Sequence, residues 1–201
     1  MRALGAPFPR ALWVANGEKE EDDMRHHEQR TPTSLEERVR RLEDRNAISE
    51  RTIKYAAAID AADWDAYGAC FTGQIYVDFS DGGMPAKLWD RSEFVDFSRR
   101  GLSGFEARQH LSPNHVIEFV ENDPDRAICY SYMYAQHHLP NAPGGDFFLM
   151  RGAYTGEMVR TELGWLIERL VQKITWIEGN QKAPAEAAKR FEMNRSQSDL
   201  G

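Results

Sequence analysis

Four long segments in the second half of the chain decide what it can fold into. Residues 107–121, 126–138, 146–161 and 164–178 alternate or run apolar over lengths that suit strands. Asn122-Asp123-Pro124-Asp125, Pro140-Asn141-Ala142-Pro143-Gly144-Gly145 and Glu162-Leu163-Gly164 separate them, and the last two have the lengths of hairpin loops. The first half is helical. Ser34 followed by Glu37 is a capping-box start. From there Leu35, Val39, Leu42, Ile48, Thr52, Tyr55 and Ile59 recur at three- and four-residue steps, the stripe of an amphipathic helix. A short helix from Trp64 to Phe71 capped by Asp63, a strand from Gln74 to Phe79, a turn at Asp81-Gly82-Gly83 and a third helix from Arg91 to Leu102 follow. Helices first and antiparallel strands afterwards is the α+β pattern, with helices packed on one face of a curved sheet. Such a sheet can enclose a cone with a mouth at one end.

A chain of 201 residues suggests one domain with tails. That domain is expected over 34–180. Residues 1–33 carry the acidic run Glu18 to Asp23, cannot bury a core, and are expected to be disordered. The tail 181–201 is rich in Ala, Lys and Glu and reads as a marginal helix from about Ala183 to Phe191. Neither end is expected to carry chemistry. A net charge of −7 leaves no basic footprint for nucleic acid or an anionic membrane. No segment has the roughly 18 apolar residues of a membrane span, and Ala11 to Ala15 is too short for a secretory core. Cys70 and Cys129 make neither a disulfide framework nor a zinc-ligand spacing. The expectation is a reduced, cytoplasmic protein.

The chemistry-bearing residues are few. Asp60 ends the long helix, and His110 stands fifty residues later inside a strand. Histidine carries protons near neutral pH, and a carboxylate can orient it and stabilise its cation. Brought together, the two would form a proton-transfer unit that needs no metal or cofactor. Apart, they are a solvated acid and an unrelated strand histidine; spacing alone leaves both readings open. An acid at a helix C-terminus meets the negative end of the helix dipole, a conflict that a neighbouring imidazolium would relieve. Tyr55 is equally readable as a hydroxyl donor or as part of the apolar stripe. Strand parity puts Ser131, Met133 and Ala135 on one face and Tyr130, Tyr132 and Tyr134 on the other. His115, five after His110, falls on the opposite face. His137-His138 precede a Pro/Gly loop and are expected to be exposed, with no third residue at metal-ligand spacing.

Several pieces in order resemble the SnoaL-like branch of the nuclear transport factor 2-like superfamily. They are Ile48 through Phe71 with Asp60 and Asp63-Trp64-Asp65, then Gln109-His110 with Asn114. Gly152-Ala153-Tyr154, Val159-Arg160-Thr161 and Gly164-Trp165-Leu166-Ile167-Glu168-Arg169 complete them, a likeness covering roughly 34 to 180. The resemblance implies a cone-shaped barrel of a curved, mostly antiparallel mixed sheet with N-terminal helices packed on it. Within that superfamily scytalone dehydratase, bile-acid 7α-dehydratase and hexachlorocyclohexane dehydrochlorinase share a helix aspartate paired with a strand histidine. Asp60 and His110 fall on those positions. Tyr55 is similar to the bile-acid enzyme's pocket tyrosine and stands where the dehydrochlorinase has lysine. That enzyme's pocket arginine has no counterpart: five residues past Trp165 comes Leu170, while Arg169 should face the other way. The departure weakens any case for halide departure or an anionic substrate.

The resemblance thus implies Asp60, His110 and Tyr55 as catalytic residues, and Asn114, Ser131, Met133, Met150, Tyr154, Leu170 and Gln172 as the substrate wall. No metal and no organic cofactor is expected. The expected activity is a lyase acting on a small hydrophobic, aromatic or polycyclic molecule, by dehydratase-like elimination or formaldehyde-releasing C–C cleavage. The alternatives are a non-catalytic small-ligand-binding or accessory subunit, and an isomerase or cyclase. A homo-oligomer is expected, a trimer by resemblance and otherwise a dimer, with the tyrosine face, Val171 and Trp176 as its contact surface.

Overall fold

The computed structural model describes residues 34–198; the N-terminal extension expected over 1–33 lies outside them. Helix α1 runs Leu35–Ala61 and starts where the capping box places it. The Ser34 hydroxyl accepts from the Glu37 N–H at 3.1 Å, and the Glu37 carboxylate accepts from the Ser34 N–H at 3.4 Å. Ala62 ends the helix in a left-handed conformation, φ 54°. Asp63 then caps α2, accepting from the Ala66 N–H at 2.9 Å. Helix α2 covers Trp64–Gly68 and stops three residues short of the expected Phe71. Phe71 is taken by the sheet instead: it opens strand β1 (Phe71–Phe79) and pairs in parallel with Ile167.

Strand β2 (Met84–Asp90) lies antiparallel to β1 and was not foreseen. It is an edge strand, so Pro85 costs no ladder bond that the sheet needs, and its mostly exposed residues show no alternation. Helix α3 spans Arg91–Leu102, as the spacing predicts. The segment 107–121 is two strands, β3 (Ala107–Leu111) and β4 (Val116–Phe119), both antiparallel to β5. Pro113 lacks a donor and Asn114 has φ 54°, so the ladder breaks between them. Strands β5 (Arg126–His138), β6 (Phe147–Thr161) and β7 (Gly164–Gly179) form a long meander.

The seven strands are ordered β2-β1-β7-β6-β5-β3, with β4 also on β5. The sheet is mixed, because β1 and β7 run parallel, and it does not close. Helix α1 packs against its concave face. Ile48, Tyr55 and Ile59 of α1 meet Ile75, Val77, Cys129, Met133, Ala135, Met158 and Leu170 of the sheet, all buried. The C-terminal tail corrects the marginal-helix expectation. Helix α4 runs Ala183–Ser198, and Ala183 and Ala187 are fully buried against Phe105, Leu139, Ala142 and Phe148. Asn180 fixes its start, accepting from the Lys182 N–H at 3.0 Å and donating to the carbonyls of Pro143 and Gly145 at 3.1 and 2.8 Å. Among the described residues no helix is long and apolar enough to cross a membrane.

Candidate active site

The last turn of α1 and strand β3 bring Asp60 and His110 together. Their side chains meet at 2.7 Å, His110 Nδ1 to Asp60 Oδ1. The backbone N–H of His110 also donates to Oδ1 at 3.1 Å and Oδ2 at 2.8 Å. A carboxylate only accepts, so the contact places a proton on Nδ1, and in the neutral ring the lone pair is then on Nε2. The imidazole is 7% exposed and the carboxylate 26%.

A residue the sequence reading passed over completes this corner. Arg108, two residues before His110 on β3, donates to the carbonyls of Ile59 (3.1 Å), Leu102 (2.8 Å), Phe105 (3.1 Å) and Asp60 (3.5 Å). Helix α1 has no basic residue in its own last turn. The guanidinium therefore answers the negative helix end that the sequence reading had left to an imidazolium. An arginine two before the strand histidine is a readable signal, because it leaves the strand on the same face as the histidine.

His137 corrects an expectation outright. It is buried, 1% exposed, directly across the β3–β5 ladder from Arg108. Its ring lies 4.7 Å from Phe105, 5.7 Å from Phe148 and 5.3 Å from His110, the last at 87°. Neither ring nitrogen has a hydrogen-bond partner. Burial pushes its pKa down to about 3, helped by the neighbouring His110 and Arg108. The signal was strand parity, since 137 continues the inward face of 131, 133 and 135. His138 points away and stacks on Phe147, centroids 5.0 Å apart.

The expected wall divides. Tyr55, Ser131, Tyr154 and Leu170, with Thr52 and Cys129, line one cavity of about 20 Å³, space for about one water molecule. Asp60 and His110 are not among its walls. The Tyr55 ring packs between Tyr67, Phe71 and Tyr154 at 5.5, 6.0 and 5.8 Å. Burial, with Tyr154 and Tyr67 adjacent, pushes its phenol well above the ordinary value, so it stays a protonated donor. The Gln172 amide donates to Tyr154 Oη at 3.2 Å and Met133 Sδ at 3.1 Å. Ser131 accepts from Ser112 at 2.8 Å. Met150 is partly buried where the two apolar clusters meet.

Asn114 is not among the walls of that cavity. It is exposed in the β3–β4 turn and accepts from the Tyr132 N–H at 3.4 Å, because its left-handed backbone is needed to turn the chain. His115 turns away from the dyad to Ser49, 2.6 Å from Nδ1 to Oγ. Arg169 lies over the Tyr76 ring at 4.8 Å, while Leu170 is buried. Among the described residues no three His, Cys, Asp or Glu side chains are arranged to hold a metal ion.

Comparison with known proteins fits this architecture. The sequence model of the SnoaL-like domain matches residues 40–171. The Kfla4162 protein from Kribbella flavida is similar at 28% identity and a TM-score of 0.66, over 74% of this chain and 99% of that one. A candidate aromatic ring hydroxylase from Novosphingobium aromaticivorans is similar at 25% identity and a TM-score of 0.62, over 73% and 97%. A hexachlorocyclohexane dehydrochlorinase, LinA type 2, shares the fold at 16% identity and a TM-score of 0.62, over 71% and 93%. Comparison with curated proteins finds no match.

Proposed function

The chain belongs to the SnoaL-like domain family, and on that premise we propose that it is a lyase working by acid–base chemistry without a cofactor. One observation carries the proposal: the 2.7 Å contact between His110 Nδ1 and Asp60 Oδ1, which orients the ring and leaves Nε2 as the base. Nε2 takes a proton from a carbon or hydroxyl of the substrate. Asp60 holds the imidazolium that results; the electron pair left behind forms a double bond as the leaving group departs, and a departing hydroxyl takes the proton back from the imidazolium and leaves as water. In a formaldehyde-releasing cleavage the proton comes from a hydroxyl, whose oxygen becomes the C=O of formaldehyde as the C–C bond breaks. The pair released on the other carbon expels the small group or takes the proton back from the imidazolium. Tyr55, a protonated phenol, is the proposed donor to the developing oxygen.

The proposed substrate is a small hydrophobic molecule, aromatic or polycyclic. Met133, Met150, Tyr154 and Leu170 supply an apolar and aromatic wall, with Ser131 and Gln172 as its polar points. A cavity of about 20 Å³ admits no ring as it stands, so the substrate must displace side chains. Methionines, unbranched and easily rearranged, suit that task. His110→Ala and Asp60→Asn should fold and lose turnover on a panel of vicinal diols and hydroxylated aromatics. Turnover retained by folded His110→Ala would remove the dyad from the reaction.

A second reading has its own observation. The cavity is small and excludes the dyad, as it would in a ligand-binding or accessory subunit. Mass spectrometry of a small molecule carried through purification separates the two. A ligand recovered unchanged after incubation supports the binding subunit, and one converted by the wild type but not by His110→Ala supports the lyase.

A further inference from the structure

Arg108 reaches four carbonyl oxygens from three places in the chain. Two belong to the end of α1, Ile59 and Asp60 itself; two belong to Leu102 and Phe105, at the end of α3 and in the turn that leads into β3. We propose that Arg108 is the positioning residue of the dyad, and that without it the Asp60–His110 pair does not form in an otherwise folded protein. The inference builds on the proposed lyase site but concerns how that site is assembled, not what it turns over.

The physical argument starts from the helix end. The last carbonyls of a helix have no partner within it. In α1 the left-handed Ala62 bonds back to Ala58 and Ile59, and the last turn holds no basic side chain. Asp60 adds a full negative charge to this already negative end. Left alone, such a terminus frays towards water, and a carboxylate already 26% exposed would follow it. The guanidinium prevents this from one fixed point. Arg108 and His110 are two apart on one strand, so their side chains leave the same face. Clamping the backbone at Ile59 and Asp60 to Arg108 therefore fixes the carboxylate's distance from the imidazole and N–H of His110. His137 faces Arg108 across the ladder and packs on Phe105, so this corner is closed from the far side. Lysine cannot replace the clamp, because a single ammonium lacks the planar fork that serves carbonyls in several directions.

The test reads the histidine tautomer, which needs no substrate. In ¹⁵N-labelled wild-type protein at alkaline pH, His110 should show a protonated Nδ1 and a bare Nε2, the reverse of the free imidazole's preference. Its signals are assigned by their absence in His110→Gln. Arg108→Lys and Arg108→Met should keep the circular dichroism of the fold yet lose the Nδ1–H form, and guanidinium ion added to Arg108→Gly should restore it. A merely structural arginine would lower the melting temperature and leave the tautomer of the folded fraction unchanged. An unshifted tautomer in folded Arg108→Lys overturns the proposal, even if Arg108→Met does not fold. Loss of turnover in His110→Ala judges the lyase reading separately, so either idea can fail while the other stands.

Discussion

His137 stands edge to face with His110, ring centroids 5.3 Å apart, and only His110 has a carboxylate partner. Two histidines thus share one corner with opposite chemistry. One is held by a carboxylate, and the other is packed between Phe105 and Phe148.

That arrangement makes His137 an acid-sensitive part of the fold. Unfolded, it binds a proton below about 6.5; folded, only below about 3. Its folded pKa is depressed, so stability is full above the unfolded value and falls as pH drops through the interval. The slope is about 1.4 kcal/mol per pH unit. Urea denaturation of wild type and His137→Phe, at neutral pH and two units below the histidine value, should differ by about 2–3 kcal/mol in acid loss. Phenylalanine keeps the ring contacts, so equal losses in the two proteins would refute this.

Asp44 predicts a different weakness. Its carboxylate is 8% exposed on α1, accepts from Trp165 Nε1 at 3.1 Å and pairs with Arg160. The Arg160 guanidinium lies 4.6 Å from the Trp165 ring and also bonds Asp125 at 2.8 Å. Burial pushes the Asp44 carboxyl up, but the bonds from Arg160 and Trp165 outweigh it and hold its pKa below the ordinary value. Asp44→Ala should cost about 2–3 kcal/mol, under the range for fully buried pairs because Arg160 is 27% exposed. A double-mutant cycle with Arg160→Met should show coupling, and additive losses would contradict it.

The helix and strand periods made most of this fold legible. Arg91–Leu102 and Arg126–His138 appear at the predicted bounds. What stayed hidden depends on partners the pattern does not name. Phe71 looks helical until Ile167 offers it a ladder, and β2 is a strand only because β1 lies beside it. The Ala-rich tail shows no strong stripe because Ala183 and Ala187 need only a small surface to pack on. In the site, the meeting of Asp60 and His110 was suggested by resemblance rather than by spacing. Arg108 went unread because it serves backbone carbonyls, and His137 reads as exposed because a Pro/Gly loop follows it, although its strand carries it to the inward face.

Gly104 is the surface that α4 needs. A Cβ there would lie 1.8 Å from the Ala187 carbonyl oxygen and 2.5 Å from its carbon, both backbone. Gly104→Ala should therefore push α4 off the Phe105–Phe148 cluster at a cost of about 1–3 kcal/mol. Hydrogen exchange should speed up across Ala183–Ser198 first. Unchanged protection of those amides would show that the helix is not seated there.

The outer face of the sheet bears on assembly, which we propose to be a homo-oligomer, a trimer before a dimer. Tyr132 and Trp176 are 52% and 48% exposed there. Arg151 lies 5.2 Å from both the Tyr134 and Trp176 rings and pairs with Glu178 at 3.1 Å. Tyrosine, tryptophan and arginine together are the residues enriched at protein interfaces. Fully burying an aromatic side chain stabilises by roughly 1.5–3 kcal/mol, and association costs at least about 4. Two half-exposed rings from each of two subunits would contribute about 3–6 kcal/mol, close to that cost, so Tyr130 and Tyr134 are expected to share the contact. Tyr132→Glu with Trp176→Glu should then dissociate the complex without unfolding it, because both side chains face outward. Light scattering decides: a wild-type mass of 23.0 kDa at micromolar concentration defeats the proposal. A multiple of that mass surviving the double substitution would move the interface to another face.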